Sequence, residues 1–465
     1  MIHSRNYRTL RRLILPALAG GALAALAFAP TFGAEPVQAN SPAQSISAPK
    51  GDAPKADMPK TDIPKTDVPR PDDVKTGEIN EPTPHKEANP STFTGTSVIS
   101  ESKTFEHQRF DNTTSGQNSF IGKNKATITI DSSVFDKTGN TTNDDNSNFH
   151  GQNAVVLGIE GSQTSIKDSN ITSNSIGSNA VFATGEGSVI NVENTNIHTK
   201  GDSSRGLDAT YKGTVNGKNL TITTEGAHSA TLATDRGEGT ITAEAAKLTT
   251  SGTGSPVIYS TGNITANNVN GVANKSEIGV VEGKNSITLT NSNVTGYHDN
   301  GFMLYQSFSD DAESGIARLK AENNTLTTHG TGAFIYVNNT TAEADLTGNT
   351  ILMPNTTTLV KAAADSRWGK DGENGGHLTL RASNQELSGN IVADSISTIA
   401  MDMANGSSLV GAINTDNTAK EITLKLSKDS SWTLTGDSYV KSLTNEDTTG
   451  ENIHLNGYKL VVANK

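Results

Sequence analysis

At 465 residues the chain has room for two or three ordinary domains or for one extended repeat array, and its 33% hydrophobic and 5% aromatic content is too low for large compact cores. A net charge of −12, with no Lys/Arg run beyond the N-terminal segment, argues against nucleic acid as a partner. The absence of cysteine removes disulfides and a lipidated N-terminal Cys, so rigidity has to come from elsewhere.

The first element is an export signal. Arg5, Arg8, Arg11 and Arg12 precede the apolar run LILPALAGGALAALAFA, and Val37-Gln38-Ala39 places small residues where a signal peptidase cuts, so cleavage is expected after Ala39. The run is short for a bilayer and carries Pro16 and two glycines, so no membrane span is expected in the mature chain. The protein is expected to be exported, and then secreted, displayed at the cell surface or held in the periplasm. Residues 40–90 read as a linker: Pro54, Pro59, Pro64 and Pro69 recur in register, each followed by Lys or Arg. Regular proline fixes φ and removes donors while the charges keep the segment solvated, which predicts a disordered Pro/Lys/Asp-rich linker, read either as an extended stalk that holds the folded part off a surface or as plain disorder after the signal.

From about residue 118 a repeat takes over. Short apolar runs recur as NAVVLG (153–158), NAVFATG (179–185), GLDAT (206–210), SATLATD (229–235), SPVIYSTG (255–262), EIGVVEG (277–283), GFMLYQS (301–307), GAFIYVN (332–338) and TLVKAAAD (358–365), at intervals of roughly 22 to 27 residues with one near 31. Each is followed by an alternating stretch and a second apolar pair, such as Ile190, Val192 and Ile197, or Ile287, Leu289 and Val294. Period two, Thr/Val/Ile enrichment and the lack of a helical period predict three short strands per repeat and no helices. One such unit cannot bury its apolar face alone, but copies stacked at about 4.8 Å can. The prediction is an all-β fold, a single-stranded right-handed parallel β-helix with capped ends. A β-sandwich would require tight Asn-Gly or Asp-Gly hairpins, which are scarce.

The phrases SIKDSNITS (165–173), VINVENTNIHT (189–199) and SITLTNSNVTG (286–296) place Asn170, Asn194, Asn196, Asn291 and Asn293 at one phase of the repeat, between the second and third strands. Asn tolerates the left-handed conformation of a sharp corner, and its amide both donates and accepts, so stacked copies can bond from coil to coil. Residues 91–117, charged and outside the repeat, are expected to cover the first coil. Trp432, Tyr439 and Tyr458 are expected to close the last one.

The periodic region resembles the right-handed parallel β-helix repeats of bacterial surface and secreted proteins. The segment LVGAINTDNTAKEITLKLSKDSSWTLTGDSYVKSLTN (409–445), followed by NIHLNGYKLVV (452–462), is similar to the last coils of autotransporter passenger domains, most specifically at Ser431-Trp432 and Thr435-Gly436-Asp437-Ser438. The resemblance implies a helix with its N-terminal cap over 91–411, C-terminal coils over 412–465, and an adhesin-like, extracytoplasmic role. Such passengers continue into a membrane β-barrel, and this sequence contains no alternating outward-apolar strands to build one.

Two repeats carry inserts: QSFSDDAESG (306–315) and DSRWGKDGENGG (365–376). In a stack they leave the same side two coils apart, about 10 Å along the axis, with the short Asn338-Asn339 turn between them. They are expected to wall a groove lined by Asp310, Asp311, Glu313, Asp365, Arg367, Trp368, Asp371 and Glu373. An exposed Trp beside carboxylates and an Arg suits a sugar, the ring covering a pyranose face and the charges taking its hydroxyls. The expected ligand is an extracellular glycan or a host or cell-surface protein. The alternative is a polysaccharide-degrading hydrolase or lyase working with two carboxyls of this groove; Asp310-Asp311 with His377 distantly resembles polygalacturonase-type β-helices. A third reading is a purely structural extracellular rod. No ordered acidic ladder for calcium, no ligand-spaced histidine pair, no nucleophile elbow and no nucleotide fingerprint occurs, so neither metal nor cofactor is expected and the protein is read as non-catalytic.

Overall fold

The computed structural model describes residues 88–308 and 311–463; the export signal and most of the linker lie outside the described residues. Nearly every repeat lays down three strands, and each strand pairs in parallel only with its counterparts one coil before and one coil after. The result is a β-solenoid with three parallel sheets. Sheet A holds twelve strands, from Gly95–Ile99 to Asn390–Ala393; sheet B holds fourteen, from Lys103–Glu106 to Ser442–Asn445; sheet C holds ten, from Arg109–Asn112 to Thr350–Leu352. Towards the C-terminus the third face passes to a four-stranded sheet beginning at Glu386–Ser388, and a two-stranded sheet joins Ser438–Val440 to Leu460–Val462.

Alternation sorts each strand into an inward and an outward set, and parallel pairing in strict register stacks like on like. In sheet B, Ile190, Val215, Ile241, Ile264, Ile287 and Leu319 form one unbroken inward column. Phe135, Ile171, Ile197, Ile222 and Leu248 do the same in sheet C. All of these are essentially buried and belong to one continuous core. The N-terminal end is packed with aromatics: Phe110 stacks on Phe135 at 4.8 Å and meets Phe120 edge-on at 5.2 Å.

The corner between the second and third strands is where the Asn phrase acts. Asn194, Asn219, Asn268, Asn291 and Asn323 all have φ between 50° and 57°, one per coil. Over three coils the amides form the expected ladder, Asn219 Nδ2 donating to Asn194 Oδ1 at 2.8 Å and Asn194 Nδ2 to Asp168 Oδ1 at 2.9 Å, whereas Asn291 Nδ2 donates to the strand residue Asn267 Oδ1 at 2.9 Å. Asn170, Asn196 and Asn293 are not the bent residue but open the third strand, where Asn196 Nδ2 reaches Asn170 Oδ1 at 3.2 Å. The turn returning to sheet A has its own ladder, with Ser178, Ser204 and Ser229 each donating its N–H to the next coil's Ser Oγ at 2.9 Å.

Two expectations change. Residues 91–117 do not cover the first coil from outside: Gly95–Ile99, Lys103–Glu106 and Arg109–Asn112 are themselves that coil, because alternating Phe105 and Phe110 suffice for inward packing even without the repeat. Of the aromatics expected to close the last coil, Trp432 is fully buried in the column beside Ile453, its indole N–H donating to Gly411 O at 2.9 Å, while Tyr458 is 42% exposed. A short helix, α1 (Asp144–His150), also interrupts the all-strand pattern. Its signals are those of a helix start and stop: Asn143 caps it by accepting from Asn146 N at 2.8 Å, Asp144 and Asp145 fill the first turn, and Gly151 ends it at φ 77°. At seven residues it is too short to show a hydrophobic period.

Candidate functional site

The two inserted loops leave the ends of the sheet A strands Phe302–Tyr305 and Thr358–Ala362, one coil on either side of Ile335–Asn338. They close over the intervening turn. Trp368 packs against Tyr305 with ring centroids 5.5 Å apart and against Phe308 at 6.3 Å. Beneath, Asn339 Nδ2 donates to Gln306 O at 2.7 Å and Asn338 Nδ2 to Ala363 O at 2.9 Å, so the middle coil ties down both loops. Asn374 Nδ2 braces the second loop from within by donating to Asp365 O and Trp368 O. Trp368 is half-buried rather than fully exposed, and its indole N–H is sealed from solvent without an acceptor. Phe308, at 64% exposure, is the most exposed large apolar side chain among the described residues.

The loops' charges are paired with neighbours. Arg367 grips Asp365 with two guanidinium hydrogen bonds of 3.0 and 3.1 Å, Lys370 pairs with Glu373 at 2.5 Å, and Lys284 pairs with both Glu313 and Glu238. Partial burial works to raise the Asp365 carboxyl, but the Arg367 hydrogen bonds and charge outweigh it and hold the group below its ordinary value. The Lys284 hydrogen bond and charge do the same to Glu313. A glycosidic general acid needs a raised pKa, which neither group has. Asp371 is exposed at the loop tip, and Asp310 lies outside the described residues.

Asp311 pairs with Arg236 of an earlier coil at 2.7 Å. There it joins a row of ionisable side chains on the outer face of sheet A. Asp208, Asp235 and Glu282 are at most 3% exposed. Arg205 Nε lies 3.1 Å from Asp235 Oδ2 and 3.7 Å from Asp208 Oδ2. Glu282 Oε2 accepts from the hydroxyls of Tyr259 and Tyr305 at 2.8 and 2.9 Å, and its Oε1 accepts from Ser307. Burial, reinforced by the Asp235 charge, pushes the Asp208 carboxyl well above the carboxylate range. Burial also raises Asp235 to about 6, opposed by Arg205 and aided by Asp311 and Glu282. Both tyrosines are held well above their ordinary value by burial and then by Glu282.

Sequence reasoning missed this row because its members sit inside or at the ends of the apolar runs GLDAT, SATLATD and EIGVVEG. The available signal was a carboxylate recurring there in three of four neighbouring coils. No protein-family model matches the chain, and no curated protein matches it either. Among the described residues no group of three or more acidic, His or Cys side chains could hold a metal ion, and no helix is long and apolar enough to cross a membrane.

Proposed function

We propose that this chain is a secreted or surface-exposed, adhesin-like binding protein without catalysis, related in its use of the solenoid to autotransporter passenger domains. Its ligand is an extracellular glycan or cell-surface protein bound at the aromatic surface of Tyr305, Phe308 and Trp368. The observation that carries this reading is the packing of Trp368 on Tyr305 and Phe308 across two neighbouring inserts, which leaves Phe308 largely exposed. Aromatic faces preorganised in this way suit the apolar face of a pyranose, and Arg367 with Asp365 and the exposed Asp371 supply polar groups at the rim. Against the enzyme alternative stand the lowered pKa values of Asp365 and Glu313, both held in ion pairs.

The test is a glycan array and a cell-binding assay on the whole chain, with Phe308→Ala and Trp368→Ala beside it. Binding that falls about tenfold or more in both variants, with unchanged melting, is the expected result, since a buried aromatic contact is worth roughly 1–2 kcal/mol. Equal binding by the variants, or turnover of any polysaccharide, overturns the reading.

A further inference from the structure

The outer face of sheet B carries a hollow of about 450 Å³ that neither insert touches. Five strands build it, Gln163–Lys167, Val189–Glu193, Thr214–Lys218, Thr240–Glu244 and Asn263–Asn267, paired in strict register. Alternation sends every second side chain outward, so the outward set stands in files along the axis. The middle file, Ser165, Asn191, Asn216, Thr242 and Thr265, is small and polar, and the file at the corner places Glu193, Lys218 and Glu244 one coil apart. Val192 and Ala243 also line the hollow, but their side chains belong to the core, so they present backbone as its floor. At about 4.8 Å per coil, the steps from Ser165 to Thr265 span roughly 19 Å.

The middle file is bonded into one chain, Thr242 Oγ1 donating to Asn216 Oδ1 at 2.7 Å and Asn216 Nδ2 to Asn191 Oδ1 at 2.9 Å. That chain fixes the amides while leaving the second N–H of Asn216 and the Nδ2 of Asn191 for a ligand. The corner file differs from the outward charges further along the same sheet. There Arg381 pairs with Asp345 at 3.1 Å and Arg318 with Glu343 at 3.6 Å. Glu193, Lys218 and Glu244 are likewise neighbours in register, yet among the described residues they form no ion pair.

These groups select the occupant. Neither file holds an apolar side chain, so a protein partner finds no anchor here. A polyanion would meet two carboxylates for one ammonium. A neutral, hydroxyl-rich chain finds acceptors at Glu193 and Glu244 and donors at Lys218 and the two amides, and the rise of one coil is close to the length of an extended hexose unit. We propose that the outer face of sheet B binds an extended neutral polysaccharide along the solenoid axis, one hexose per coil, in the trough between the middle and corner files. Each contact is a solvent-exposed hydrogen bond of small net value, so affinity accumulates with the number of coils engaged. The site lies on a different sheet from the aromatic surface, and the inference does not depend on the binding role proposed above.

The experiment is isothermal titration calorimetry of the whole chain with cello-, laminari- and manno-oligosaccharides, from monosaccharide to hexasaccharide, beside oligogalacturonate as the anionic comparison. The expected result is that one neutral series binds with an affinity that climbs with chain length to the tetrasaccharide and then levels off. Asn216→Ala and Glu244→Gln should each weaken that binding about fivefold or more, while Lys425→Gln, on the same sheet beyond the trough, leaves it unchanged. No binding by any neutral series overturns the proposal, as does tighter binding of oligogalacturonate or a monosaccharide that binds as well as the tetrasaccharide. Affinity unaltered in both trough variants overturns it too, since the sugar is then held elsewhere. If Asn216→Ala does not fold, Glu244→Gln, which keeps the shape of an exposed side chain, decides between the same outcomes.

Discussion

Gly226→Ala offers the sharpest test of how closely the coils are stacked. Gly201, Gly226 and Gly252 occupy the same turn in successive coils, and a methyl group added to Gly226 would meet Gly201 O at 1.9 Å and its carbonyl carbon at 2.2 Å. Both are backbone atoms, so no side-chain rotation relieves the clash. An ordinary carbon–oxygen contact is more than an ångström longer, and a shift of that size exceeds what a 2.9 Å hydrogen bond tolerates. The bonds at risk are Glu225 N to Thr199 O at 2.9 Å, Ala227 N to Asp202 Oδ1 at 2.8 Å and Ser204 N to Ser229 Oγ at 2.9 Å. At about 1 kcal/mol each, their loss predicts a destabilisation of about 3 kcal/mol. Gly406 and Gly450 provide the comparison: both have positive φ, but nothing lies within 4 Å of an added methyl, so Ala there costs only about 1 kcal/mol. Equilibrium unfolding in guanidinium chloride measures all three. A Gly226→Ala loss no larger than that of Gly406→Ala would refute the stacking argument.

Stability should also depend on pH through Asp235. Its folded pKa, about 6, lies above its ordinary 3.8, so between those values the native state holds a proton that the unfolded chain has released. Stability therefore falls as pH rises through this window, and Asp208, whose carboxyl is held higher still, carries the fall to higher pH; denaturant titrations at pH 4 and pH 7 that show the opposite trend would contradict the assignment. Ala245 occupies the left-handed corner, with φ 54°, between Asn219 and Asn268. Ala245→Asn should relieve that strain and extend the amide ladder, raising stability by about 1 kcal/mol in thermal unfolding, whereas Ala245→Val should lower it.

The architecture was legible because in a solenoid the core depends on local pattern. Alternation identifies which side chains point inward, and the repeat length identifies which residues stack, so Ile190 over Val215 and Asn194 beside Asn219 follow without long-range information. The two inserts were legible as departures from the same period. Helix α1 was not, because seven residues carry caps but no periodicity.

What the sequence by itself determined was the coil: strand, corner, stacking register and the sites of the inserts, all set by spacing of two and by spacing of one turn. What only the tertiary structure decided was which outward side chains lose their water. Asp208 in GLDAT reads as a solvated carboxylate, and it is buried because distant segments fold over it, Phe149 reaching Thr210 across 61 residues and Asp311 reaching Arg236 across 75. Alternation fixes the direction in which a side chain points, but the dielectric around it depends on what arrives to cover it, and that cover lies outside the repeat.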